Sequence, residues 1–233
     1  MPTIDLGDYG FHGRVFEYHG QIVSERKEGD RLLFLFDEAH TDKAAIRLSL
    51  LNALRLWELG VLACVGVEEF PYYFAGWTQT VIEQRSAQLF QDHGNDEGVI
   101  QRRMEGDGQH LKFGKTLKFL RPQINVRSVE DFELHARIKW IDHRSRGLID
   151  NMPPEAPPEA RQAAADLIRR EFDQCTTNLE RDAAFLKTLL PWWQQIDPSK
   201  AAILNAGTSH QERIAQKLDE NIRYIRVSTK AAP

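Results

Sequence analysis

Cysteine is scarce. The 233-residue chain holds two, Cys64 and Cys175. They fall in different expected elements, and Cys64 sits inside an apolar run, where a thiol behaves as a small hydrophobe. No disulfide is expected. Long hydrophobic runs are also missing: none approaches the roughly 20 residues that span a bilayer. Met1 to Tyr9 carries Asp5 and Asp8, no Lys or Arg, and no apolar core. It does not read as a secretory signal, so a cytoplasmic protein is expected, with no membrane partner. Excess positive charge is absent too. The net charge of −4 argues against nucleic acid, because phosphate binding needs a basic surface. There is no zinc-finger cysteine spacing, His-Glu-x-x-His helix, P-loop, nucleophile elbow or Rossmann glycine fingerprint. A serine or cysteine nucleophile is therefore not indicated, although Ser209 stands beside His210. No internal repeat is present.

What remains is an ordinary globular composition, 42% hydrophobic and 27% charged, in a chain long enough for one large domain. Strand-like and helix-like segments alternate. That predicts an α/β fold with a mainly parallel central sheet flanked by helices. Arg14–Ser24 reads as an edge strand or hairpin arm. Buried strands are expected at Leu32–Phe36, Val61–Val67, Ile124–Val129, Ala201–Ala206 and Tyr224–Val227. Thr41–Glu58 reads as a helix, capped by Thr41 or Asp42 and stopped at Gly60. Its strand–helix–strand unit should cross over right-handed. Gln91–Asp107 reads as a surface loop or broken helix. Leu111–Leu120, Phe132–Ile141 and Thr208–Asn221 read as helices. The two Pro-Pro pairs in 151–158 cannot lie inside a helix. They suit a loop over the site better than a linker, because a strand of the same sheet follows. A helical insertion is expected over 159–190, ended by Pro191-Trp192-Trp193. The whole chain, 1–233, reads as a single α/β domain.

Two histidines stand at equivalent places. His40 follows the run Arg31 to Phe36 through Asp37-Glu38-Ala39. His210 follows Ala201 to Ala206 through Gly207-Thr208-Ser209. In open α/β sheets ligands bind beyond the carboxyl ends of the strands, so the site is expected on that rim. The strand Val61–Val67 ends there on Glu68 and Glu69, one pointing into the site and the other away. Glu38 and His40 share one parity if the strand continues, while Asp37 and Ala39 share the other. A carboxylate beside a histidine fixes its tautomer. The plainer alternative for His40 is a surface position, with Asp37 or Glu38 capping the next helix. A buried glutamate is costly unless paired. Its plainer use is a salt bridge to the long helix, where Arg181 in Glu180-Arg181-Asp182 is the natural partner. Arg181 equally suits an anionic group or a developing oxyanion. His110, after Gly106-Asp107-Gly108, is a further candidate if a mobile loop brings it in. His12, His19, His93, His135 and His143 rank lower. Tyr72, Tyr73, Phe74 and Trp77 suit a pocket wall or plain packing.

Taken in order, these motifs resemble the superfamily that joins erythromycin esterases, ChaN-like haem-binding lipoproteins and TraB/TIKI-type proteins. The resemblance spans Leu32 to Val227. The family's Gly-Glu-x-His stands here as Asp37-Glu38-Ala39-His40, with Asp37 in place of the glycine. The strand-end glutamate falls on Glu68, the helix arginine on Arg181, and Gly-x-x-His on Gly207 to His210. Its members include lactone-opening hydrolases, metal-dependent peptidases and a haem binder. The resemblance therefore implies where the site lies more than what it acts on.

Three functions fit. The first is a hydrolase of an ester, lactone or amide, acting on a small-molecule or peptide substrate. His40 would be general base or metal ligand, Glu68 would orient it or bind metal, His210 would be second base or ligand, and Arg181 would steady negative charge. A divalent metal held by His40, Glu68 and His210 would leave a position open for water, with Asp37 as a further candidate ligand. The second is a non-enzymatic binder of haem, metal or a small ligand, using the aromatic cluster. The third is a catalytically idle interaction module.

Overall fold

The structure, a computed structural model, describes residues 1–38, 42–68, 78–106, 112–174 and 177–230. Strands β1 (Thr3–Asp5) and β2 (Val15–Glu17) form a small antiparallel ribbon joined through a 3-10 turn at Leu6–Tyr9. The main chain path then runs β3 (Gln21–Arg26), β4 (Arg31–Glu38), α1 (Lys43–Glu58), β5 (Leu62–Val67), α2 (Gln79–Asp92), α3 (Glu97–Gly106) and α4 (Phe113–Leu120). It continues through β6 (Asn125–Ser128), α5 (Phe132–Asp150), α6 (Pro158–Gln174), α7 (Thr177–Ile196), β7 (Ala201–Gly207), α8 (Thr208–Lys217) and β8 (Ile222–Ser228). The fold is α/β, as the alternation of segments implies.

The central sheet has the order β3-β8-β4-β7-β5-β6, and all pairs are parallel except β3 with β8. Side chains alternate across it. Leu32, Phe34 and Phe36 pack on one face with Ile46, Leu50 and Ala53 of α1 and Phe113 and Leu117 of α4. Leu33 and Leu35 pack on the other with Phe185, Leu189 and Trp193 of α7 and Ile214 of α8. Both faces are covered, which is why these strands read as unbroken apolar runs.

The connections from β4 and β5 travel towards β6 over the α1/α4 face. Those from β6 and β7 return over the α7/α8 face. All four crossovers therefore share one hand, as the chirality of twisted strands demands. The chain leaves β7 on the opposite face from both its neighbours, β4 and β5. A crevice at the carboxyl end of β7 follows from this topology.

Several boundaries differ from the sequence reading. Asp42 caps α1, its side chain accepting from the Ala45 N–H at 3.0 Å, and Gly60 at φ +72° ends the turn after it. Helix α5 continues past Ile141 to Asp150, and α8 stops at Lys217 rather than Asn221. The segment Gln91–Asp107 contains α3. Pro191 does not end a helix but lies inside α7. Its missing N–H leaves only the carbonyl of Lys187 without a helical partner, and both residues lie on the exposed face of the helix. Trp193 just beyond is fully buried, and its Nε1 donates to the Lys200 carbonyl at 2.8 Å. Burial of that ring outweighs the proline. The Pro-rich segment joins the end of α5 to the start of α6. Among the described residues no helix is long and apolar enough to cross a membrane.

Gly66 sets how closely α7 lies on the sheet. A Cβ there would stand 2.8 Å from Cγ1 of Val129 and 3.1 Å from Cδ1 of Leu189. Val129 has little freedom to move away. Gly66→Ala is expected to lower the unfolding free energy by about 1–3 kcal/mol, read by urea denaturation. An unchanged midpoint would mean that α7 is not seated that closely.

Candidate functional site

The carboxyl ends of β4, β5, β6 and β7 form the rim on which the sequence places its candidates. β4 and β7 are direct neighbours, with Glu38 opposite Gly207, so the two histidine-bearing strands end side by side. His40, Glu69, His110, Cys175 and the aromatic cluster Tyr72–Trp77 lie outside the described residues, as does the side chain of Glu38.

Glu68 follows β5 and keeps that strand in line, its N–H donating to the Asn205 carbonyl at 2.9 Å. Its side chain is spent on both oxygens. Oε2 accepts the Gly207 N–H at 2.7 Å, and Oε1 accepts from Nη2 of Arg181 at 2.7 Å. Gly207 therefore occupies the cap position of α8 with no side-chain cap bond, in place of the expected Thr208 or Ser209. Its N–H ties the β7–α8 turn to β5.

Arg181 lies in the first turns of α7. Its Nε donates to Oε1 of Glu130 at 3.0 Å, and Nη2 also donates to Oε2 of Glu130. Nη1 approaches Nε2 of His210 at 3.2 Å. The guanidinium rests over Phe185, one helical turn on, at 5.6 Å from the ring centroid. The same ring lies 5.3 Å from that of His210. Phe185 thus forms an apolar floor under both groups. Arg181 offers five N–H donors. Two carboxylates and one imidazole account for four of them, and the second N–H of Nη1 is the donor these bonds leave over.

His210, in the first turn of α8, is held from the other side. Its Nδ1 is 2.5 Å from Oδ1 of Asp182. Asp182 also accepts from Nε of Arg213 at 2.6 Å and from its Nη2 at 3.2 Å. A carboxylate only accepts, so the imidazole proton sits on Nδ1 and leaves Nε2 as an acceptor facing Arg181. Nη2 of Arg213, 3.1 Å from the same Nδ1, then serves Asp182 rather than the ring.

Three carboxylates (Glu68, Glu130, Asp182) meet two guanidiniums (Arg181, Arg213) here. With neutral imidazoles the described cluster carries one excess negative charge. Burial alone pushes the Glu130 carboxyl up, but bonds from His135 and Arg181 outweigh it and hold it below the usual range. Asp182 is likewise held down, its burial outweighed by His210 and Arg213. Burial opposes the charge of Arg181, yet Glu130 and Glu68 raise its pKa further.

Asp37 points elsewhere. Its oxygens accept from Nε and Nη2 of Arg226, each at 2.9 Å, and burial pushes its carboxyl up despite that pair. It ties β4 to β8, with both carboxylate oxygens turned to Arg226. Of the expected metal set His40, Glu68 and His210, the first lies outside the described residues. Oε1 of Glu68 and Nε2 of His210 are 3.6 Å apart, and both face the Arg181 guanidinium, which is already the cation between them. Among the described residues no group of three or more His, Cys, Asp and Glu side chains is arranged to hold a metal ion. Burial pushes the Cys64 thiol up to about 12, so it is no nucleophile.

Sequence reasoning missed Glu130, Asp182, Arg213 and His135. The first is a strand-end carboxylate like Glu68. Asp182 adjoins Arg181, and Arg213 shares a helix face with His210 at the i,i+3 spacing.

Asp182 is more acidic folded than unfolded. Its stabilisation is complete above the unfolded carboxylate value of about 4 and is lost as pH falls through the lower folded value. Asp37 acts in the opposite sense, since its folded pKa is raised. Unfolding free energy should fall less steeply between about pH 5 and about pH 2 in Asp182→Asn than in wild type, read by urea titration at each pH. Parallel slopes would remove Asp182 from the set of acid-sensitive contacts.

No protein-family model and no curated protein matches this chain. Among solved structures it is similar to that of the type III effector HopBA1, at 14% sequence identity and a TM-score of 0.34. The match covers 75% of this chain and 65% of that one, so the chain spans less than two thirds of the effector's length.

Proposed function

We propose that this protein is a hydrolase of an uncharged ester, lactone or amide, with its reaction centre at the carboxyl end of β7. The Asp182–His210 pair beside Arg181 carries this reading. Asp182 fixes the tautomer that leaves Nε2 of His210 as the base. Nη1 of Arg181, 3.2 Å from that nitrogen, is the donor for a developing oxyanion. A water entering between them donates to Nε2 and accepts from Nη1.

His210 takes the proton as the water oxygen attacks the acyl carbon. The carbonyl oxygen becomes negative and accepts the remaining N–H of Nη1. Collapse of the tetrahedral intermediate breaks the bond to the leaving oxygen or nitrogen, and His210 returns the proton to that atom. The imidazolium formed midway is steadied by Asp182 and by the excess negative charge of the cluster. Arg181 supplies the positive charge that a divalent metal would otherwise bring. Glu68 positions Arg181 and the β7–α8 turn.

The same bonds support the substrate class. Among the described residues Arg181 has one N–H to spare, whereas bidentate capture of a phosphate or carboxylate needs two. A neutral carbonyl oxygen suits it better than an anion. The order of motifs shared with erythromycin esterases and their superfamily points the same way.

The test is a panel of aryl esters, lactones and amides, with a phosphomonoester as contrast. Wild type should hydrolyse a neutral acyl substrate. His210→Ala should lose about 10²–10⁴-fold in kcat/KM, and Arg181→Met about 10²–10³-fold in kcat. Turnover untouched by both substitutions, or confined to the phosphomonoester, would sink the proposal.

A further inference from the structure

Arg181 is a long, mobile side chain, yet its use at His210 requires one nitrogen to face Nε2 and no other. Glu68 alone does not impose that, because it meets only Nη2. Glu130 does. It spans Nε and Nη2 with its two oxygens, which fixes the guanidinium plane and leaves Nη1 as the group directed at His210. Glu130 is itself held. Its side chain is 2% exposed, and its Oε2 lies 3.2 Å from Nδ1 of His135 on α5. His135 is only 15% exposed in its side chain. His135 on α5 and Arg181 on α7 therefore converge on a carboxylate that has no hydrogen bond to His210 among the described residues.

We infer that Glu130 and His135 are positioning residues, which hold the Nη1 edge of Arg181 against Nε2 of His210. This inference rests on the reading of His210 as base and Arg181 as donor. His135 donates its Nδ1 proton to Glu130, the two-pronged carboxylate holds Arg181, and Arg181 sets the environment of Nε2. Asp182 and Arg213 hold the opposite nitrogen independently. The two sides of one imidazole are thus controlled by two separate chains of contacts.

That separation supplies the test. Glu130→Gln removes one charge from a trio in which Glu68 and Glu130 outnumber Arg181, so a one-to-one pair remains and the fold should survive. In protein with isotope-labelled histidine, His210 is assigned by its loss in His210→Gln. In Glu130→Gln the Nε2 resonance should move towards its position without a hydrogen bond, while Nδ1 stays in place. A general loosening of the site would move both. His135→Ala should shift Nε2 the same way by less, and His135→Gln, which keeps an N–H donor, should restore it. Turnover of the substrate found above should fall about 10–100-fold in Glu130→Gln, in the range typical of losing a supporting contact behind a reactive group.

An unmoved Nε2, or Nε2 and Nδ1 moving together, overturns the inference for Glu130. Equal behaviour of His135→Ala and His135→Gln overturns it for His135. If Nε2 moves alone but wild type hydrolyses nothing in the panel, the positioning holds and the hydrolase reading fails.

Discussion

The guanidinium of Arg181, enclosed between carboxylates from two neighbouring strands, is the constraint on which this rim depends. Taking one cation and two anions out of water costs several kcal/mol per ion, and the cost is offset only by close, well-directed contacts. Those contacts are available in one arrangement. β5 and β6 must end together so that Glu68 and Glu130 stand side by side, as the pairing of Val67 with Ser128 and the bond from Val129 N–H to the Val67 carbonyl ensure. α7 must also bring its first turn over those ends. Its apolar residues Phe185, Leu189 and Trp193 fix the helix on the sheet, and Gly66 leaves room for it. The charged end of α7 is thus delivered by the packing of its apolar remainder.

Topology adds what side chains alone cannot. β7 itself carries no charged residue: it reads Ala201-Ala202-Ile203-Leu204-Asn205-Ala206-Gly207. Its contribution is a backbone path that leaves the sheet on the opposite face from both neighbours and opens the crevice. Among the described residues the charges at the end of β7 come from the ends of β5 and β6 and from α7 and α8. The central strand can therefore be packed on both faces as tightly as the core demands, while the strand ends supply chemistry.

The fold was largely legible in the sequence because period and length settle it: short apolar runs bounded by turns, separated by helical spacing. Part of the site was legible for a similar reason. A strand-end glutamate needs a cation, and Glu180-Arg181-Asp182 on a long helix offered one, so the Glu68–Arg181 pair followed from physical necessity. Glu130 was visible as a strand end, but its use depends on β6 lying beside β5, and strand order is not written in local pattern. Asp182 and Arg181 are consecutive, yet both are buried, because α7 touches the strand ends with one and α8 with the other. His135 stood among polar neighbours, which made it read as surface. Pro191 shows the converse failure: a strong local signal for a helix end was overridden by the burial of Trp193.

Asp37 bears on how the rim is built. β4 runs on through Asp37 to Glu38, in register with Ala206 and Gly207 of β7. A strand that continues needs its end secured. Asp37 secures it by gripping Arg226 on β8, whose Nη2 also reaches the Thr208 carbonyl at 3.4 Å. The crevice at β7 is thus bracketed by two buried ionic clamps, Asp37 with Arg226 on one side and Arg181 with Glu68 and Glu130 on the other. Each clamp joins one of the strands beside β7 to a separate part of the chain. The segment that carries His40 leaves the sheet from a strand end fixed beside the turn that carries His210.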